Sequence, residues 1–174
     1  MKVLTKLYLN ASVALMAAAS LNLNAAPLKI NDIAPDFSAT TIAGKSIKLS
    51  GLNRNKPVYL KFWATWCSYC VAEMPHLQNI YDQYGDDIEV ITINVAMNDS
   101  IAKINKLFSA QGYNLPTVFD TKGKLTALFG VVGTPHHILI DRNGKIAYRT
   151  FLASDTLDAK VDGLINSTNN NLGQ

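Results

Sequence analysis

The chain of 174 residues reads as an α/β domain with a mixed central sheet flanked by helices and led by a small N-terminal hairpin. Three observations predict it. The runs KPVYLKFW and IEVITINVA are apolar nearly throughout, as expected of strands covered on both faces. Between and after them apolar residues recur at helical spacing, so strands and helices alternate. Towards the end, HHILID and KIAYRTF flank the turn residues Arg142, Asn143 and Gly144, which predicts an antiparallel hairpin.

Residues 1–26 carry Lys2 and Lys6, then an apolar run to about Leu23, then Ala25 and Ala26, and are expected to be an export signal. Asn10, Ser12, Ser20 and Asn22 interrupt the run, which argues against a retained span. FSATTIAGKSIKLS is expected to form the leading hairpin, turning at Ala43-Gly44. The strand from Pro57 follows, and after Cys67 the period changes. Cys70, Met74, Leu77, Tyr81 and Tyr84 draw one apolar stripe along a helix ending near Gly85. Residues 88–96 form the next strand, and Ile101, Ile104, Leu107 and Phe108 mark a helix starting near Asp99 or Ser100. LPTVFD is a short strand, and Leu125 to Phe129 a brief helical piece. After the hairpin comes a closing helix capped by Asp155, with Leu157, Val161, Leu164 and Ile165 buried. One domain over 27–166 and a polar tail over 167–174 complete the organisation.

Removal of the signal takes Lys plus Arg from 16 to 14 against 13 acidic residues, so the net charge falls near +1. Nucleic-acid binding has no electrostatic support at that balance. Export implies the periplasm or another extracytoplasmic compartment, with membrane anchoring if the signal is retained.

Both cysteines and both tryptophans stand in WATWCSYC, residues 63–70. A disulfide closing so short a loop removes only about 2 kcal/mol of chain entropy, which makes it a poor structural staple. The strand-to-helix change instead puts Cys67 at a helix start, exposed where a thiolate is favoured, and Cys70 one turn on, facing inward. Trp66 is expected beside the pair as an apolar contact surface, and Trp63 in the core.

A strand followed by C-x-x-C at a helix start is a thioredoxin-like redox signature. APDF (34–37), FWATWC (62–67), EMP (73–75), GVVGTP (130–135) and LIDRNGKI (139–146) stand in the order seen in exported thioredoxin-like proteins of the TlpA/ResA/CcmG group, which the chain resembles over about residues 30–165. The resemblance implies a thioredoxin-like fold and thiol-disulfide exchange without a cofactor, with Cys67 attacking and Cys70 resolving. It implies a cis proline at Pro135, with Thr134 offering its backbone to a bound peptide, a helix-kinking Pro75, and a modulating Glu73 near the pair. Its partners would be protein disulfide substrates, apocytochrome c among them, and a membrane thiol reductase as electron donor. Lys61 departs from the pattern, since thioredoxin has aspartate there and the group often asparagine. Snorkelling to solvent is the expectation for Lys61, with pairing to Glu73 or thiolate stabilisation as the other readings. A thiol oxidase or isomerase is the runner-up in function.

A copper or zinc module is the alternative of another class, built from the cysteines with His136 and His137. Adjacent strand residues face opposite ways, so both histidines cannot easily join one site, and no metal ligand is assigned. His76 is expected at the surface. A peroxidase would need a proline and threonine at set distances before Cys67, and Pro57 and Thr65 do not supply them.

Overall fold

The computed structural model describes residues 28–52 and 56–167. The expected export signal, and the tail beyond Ser167, lie outside the described residues. A hairpin of β1 (Ser38–Thr40) and β2 (Ser46–Lys48) leads, turning through Gly44 at φ 84°, a conformation that glycine adopts without steric cost. A one-turn helix α1 (Leu49–Leu52) then feeds β3 (Val58–Trp63).

The main sheet has the order β5-β4-β3-β6-β7, with β4 at Glu89–Asn94, β5 at Thr117–Phe119, β6 at His136–Ile140 and β7 at Ile146–Thr150. β3, β4 and β5 run parallel, whereas β6 is antiparallel to both β3 and β7, so the sheet is mixed as the sequence predicts. Every residue of the central strand β3 is buried, because both of its faces are covered. Tyr59 and Trp63 enter one core with Met74, Leu77, Ile104, Phe108, Leu157 and Val161. Val58, Leu60 and Phe62 enter the other with Phe37, Ile47, Leu125 and Phe129. The longer helices thus pack on one face, and the hairpin and α5 (Lys124–Leu128) on the other.

The helix after Cys67 is two pieces, α2 (Ser68–Ala72) and α3 (Met74–Tyr84), broken at Glu73 where Pro75 occupies the first turn of α3. Proline cannot donate a helical hydrogen bond, so it starts a segment rather than continuing one. The predicted stripe holds for Cys70, Met74 and Leu77, then drifts: Ile80 is buried and Tyr84 is exposed. α4 (Ile101–Gln111) is capped by Ser100, whose hydroxyl accepts the Lys103 N–H, and ends at Gly112 in the left-handed region. For the closing helix α6 (Asp155–Asn166) the cap is Ser154, not Asp155. Ser154 has the extended backbone a cap needs, and its hydroxyl accepts the Leu157 N–H, while Asp155 lies already inside the first turn.

Candidate active site

β3 leaves the sheet at Trp63, and the chain turns through Ala64–Trp66 into α2. Cys67 is the N-cap of α2, and its Sγ accepts the backbone N–H of Cys70 at 3.2 Å. A donor aimed at this sulfur favours a charged sulfur there once the pair is reduced. The two cysteines form a disulfide with Cα atoms 5.2 Å apart. Cys67 keeps 7% of its surface and Cys70 none, so Cys67 is much less exposed than expected but is still the one a partner can reach. Both sit in the core cluster with Tyr59, Trp63 and Met74, which accounts for the covering.

A buried polar chain runs from β3 and β6 to Glu73, three residues after Cys70. Lys61 lies mid-strand between Tyr59 and Trp63, its side chain 0% exposed, and donates from Nζ to Glu73 Oε2 at 2.7 Å. Snorkelling is therefore corrected, because a strand covered on both faces offers no route to solvent. His137, the register partner of Lys61 on β6, shares the same Oε2 at 3.1 Å. Its Nδ1 lies 2.8 Å from the Tyr59 hydroxyl. With Nε2–H donating to the carboxylate, Nδ1 accepts from Tyr59, which fixes one neutral tautomer. The other Glu73 oxygen, Oε1, accepts the Ala153 N–H at 2.8 Å.

Burial alone would raise the Glu73 pKa, but hydrogen bonds from His137, Lys61 and Ala153 and the lysine charge outweigh it and hold the carboxyl at about 2. Burial lowers the pKa of Lys61, and Glu73 opposes that shift without cancelling it. Burial likewise lowers His137. Glu73 is thus an ionised carboxylate with both oxygens engaged, at the joint between α2 and α3.

The Thr134–Pro135 bond is cis, in the loop that enters β6. Thr134 and Trp66 line one groove, so this loop lies beside the residue preceding Cys67. Trp66 is 53% exposed. Its Nε1–H donates to the Met97 carbonyl at 2.6 Å. The Asp99 carboxylate accepts the Thr65 N–H and hydroxyl, the Asn94 side-chain amide and the Ser100 N–H, at 2.6, 2.7, 2.8 and 2.9 Å. Burial raises the Asp99 pKa, and these donors outweigh it, holding the group below the usual carboxylate range. Between Asn94 and Asp99 the backbone enters the left-handed region at Ala96 (φ 60°) and Asn98 (φ 52°). For Ala96 that costs about 1 kcal/mol or more, which the surrounding hydrogen bonds must offset.

His136 faces away from this site, its Nε2 accepting from Arg149 at 3.0 Å and its ring edge-on to Phe151. The two histidines therefore occupy opposite faces of β6, and among the described residues no three His, Cys, Asp or Glu side chains gather as a metal site requires. His76 is exposed and meets Asp158. Tyr59, Met97 and Asp99 are the site residues that sequence reasoning missed. Asp99 carried a signal only as a helix-cap candidate, and Met97 carried none.

The AhpC/TSA family profile matches residues 30–149. The chain belongs to that family. Within it, the thiol-disulfide oxidoreductase ResA of Bacillus thuringiensis (strain Al Hakam) is 33% identical over 68% of this chain and 68% of its own. A candidate thiol:disulfide interchange protein DsbE from Chlorobium tepidum superposes with a TM-score of 0.70 at 29% identity, covering 79% of this chain and 99% of that one. The pneumococcal exposed lipoprotein thioredoxin Etrx1 of Streptococcus pneumoniae gives 0.63 at 33%, covering 76% and 99%. This AhpC/TSA family member is a thiol-disulfide oxidoreductase of thioredoxin-like fold.

Proposed function

We propose that the protein reduces disulfides in exported proteins, apocytochrome c among the candidate substrates, and is itself re-reduced by a membrane thiol reductase. The Cys67 thiolate attacks one sulfur of the substrate disulfide and expels the other as a thiolate. Cys70, once deprotonated, attacks Cys67 Sγ and expels the second substrate sulfur. The substrate gains two electrons, the Cys67–Cys70 disulfide forms, and the Cys67 and Cys70 protons pass through solvent to the released thiolates. Trp66, Thr134 and Pro135 present the surface on which the substrate segment lies, and Glu73 and Lys61 modulate the pair.

The observation that carries the direction is the Lys61–Glu73 ion pair. A buried lysine left alone would stabilise a neighbouring thiolate, and stabilisation of the reduced form is what makes a strong oxidant. Here the carboxylate at 2.7 Å neutralises that charge. The residue pattern of an export signal over 1–26 supports work outside the cytoplasm, and among the described residues no helix is long and apolar enough to cross a membrane. Equilibration of the pure protein with glutathione is expected to give a potential more negative than about −180 mV. A more positive value selects the oxidase or isomerase reading instead. Capture of mixed disulfides on Cys67 in cells carrying Cys70→Ser identifies the partners.

A further inference from the structure

β7 pairs with β6 so that Arg149 stands opposite Ile138. Cross-strand partners share a face, and His136 lies two residues along from Ile138, so a long side chain at 149 reaches His136 on the diagonal. That face belongs to the core of Leu60, Phe62, Phe129 and Ile138, whereas Cys67 and Cys70 belong to the other core. Arg149 therefore lies across the sheet from the thiols.

Its guanidinium grips both ends of the loop 130–135, which carries Thr134 and Pro135. Nη2 lies 3.4 Å from the Phe129 carbonyl and 3.4 Å from the Gly130 carbonyl, where the loop begins, and 3.0 Å from His136 Nε2, where it ends. Nη1 donates to the Leu28 carbonyl at 2.5 Å, which fixes the fork. Phe151, two residues on, sets its ring edge-on to His136 at 4.8 Å, and a Cβ added to Gly133 would lie 3.9 Å from its Cε1. The end of β7 thus props the middle of the loop as well as its ends.

Stability alone does not account for this clamp. Among the described residues no carboxylate pairs with Arg149, so its partners are neutral acceptors and what it supplies is geometry. With Nε2 accepting, the His136 proton sits on Nδ1, which is buried without a hydrogen-bond partner among the described residues. A buried N–H left unpaired opposes folding, and its retention calls for another reason.

We infer that Arg149 is a positioning residue for disulfide exchange with polypeptides. Through His136 and the Phe129 and Gly130 carbonyls it holds the loop 130–135 so that the Thr134 backbone meets the substrate segment bonded to Cys67. The inference rests on the substrate surface proposed above and not on the direction of electron flow.

The test compares a short peptide disulfide with bis(2-hydroxyethyl) disulfide, which has no peptide backbone to align, as oxidants of the reduced protein. Arg149→Met is expected to slow the peptide reaction about tenfold or more and the small disulfide less than about twofold, with iodoacetamide alkylation of Cys67 unchanged. Arg149→Lys, a point charge without the fork, is expected to lose about as much. Full peptide activity in the lysine variant would assign the effect to charge and overturn the clamp. His136→Leu, which removes the acceptor, is expected to follow Arg149→Met, and His136→Gln, which restores one, to return within about twofold of the parent. This second pair decides the matter should the Arg149 variants not fold. Equal slowing towards both disulfides, or a lower urea midpoint with an unchanged rate ratio, would leave Arg149 a structural residue and overturn the inference. Trp66→Ala strips the substrate surface itself and so separates the two readings. If it lowers the peptide-to-small ratio and Arg149→Met does not, the positioning role alone falls; if neither lowers it, the substrate surface falls too.

Discussion

Lys61 and Glu73 make the sharpest residue-level test, because a lysine with no exposed side chain depends on its partner. Glu73→Gln strands a buried cation and is expected to cost about 3 kcal/mol in urea unfolding, whereas Lys61→Met/Glu73→Gln recovers most of that loss. The same variants shift the thiols in opposite directions. Removing the carboxylate leaves the lysine charge to favour thiolates, so Glu73→Gln lowers the apparent thiol pKa values of the reduced pair, while Lys61→Met raises them. Alkylation rates against pH read both, and shifts of the same sign would break the account. In single-cysteine variants Cys67 is expected to alkylate faster than Cys70 near neutral pH, since only Cys67 retains exposed surface and accepts an N–H at its sulfur. The cysteine pair was legible from spacing and period alone. The fate of Lys61 was legible in principle, because a run covered on both faces gives a central lysine no exit, but its partner belongs to another element.

At the level of elements, alternation of period located nearly every strand and helix, and errors fell where one side chain decides an end. Asp155 and Ser154 are both good capping types, and only the backbone shows that Ser154 is extended. Ser154→Ala is therefore expected to lower stability by about 1 kcal/mol with an unchanged denaturant slope, and Asp155→Ala by no more than about 0.5. Equal losses would return the cap to Asp155. Tyr84 matched the stripe by counting, yet the stripe holds across the break at Glu73 as far as Leu77 and drifts only within α3, where Ile80 takes the buried place. Apart from Asp99 as a helix-cap candidate, the 95–99 loop gave no sequence signal, because its hydrogen bonds to Thr65 and Trp66 run more than 30 residues back, and local pattern does not report such pairings.

For the whole molecule, the mixed sheet was readable from apolar runs and the terminal hairpin, while the order β5-β4-β3-β6-β7 required the fold itself. That order sets His136 and His137 side by side beneath opposite layers, and it gives the molecule an acid-sensitive core. His136 is held at about 4 by burial first, then by the charges of Arg149 and His137. Its Nε2 already accepts from Arg149, so protonation would break that hydrogen bond and set two cations together. His137 is lowered in the same direction by burial. A depressed histidine means that the unfolded chain takes up protons first as pH falls below about 6.5, so stability present at neutral pH declines through the window from 6.5 towards 4. Glu73 acts lower down: ionised in the fold to about 2, it makes stability fall further once unfolded glutamate protonates near pH 4.5. The urea midpoint of the oxidised protein should thus drop in two stages between pH 7 and pH 3 at constant slope. His136→Gln, which has no ring proton to gain, should flatten the upper stage in part and leave the lower one unchanged; an upper stage as steep as in the parent protein would remove His136 from the account.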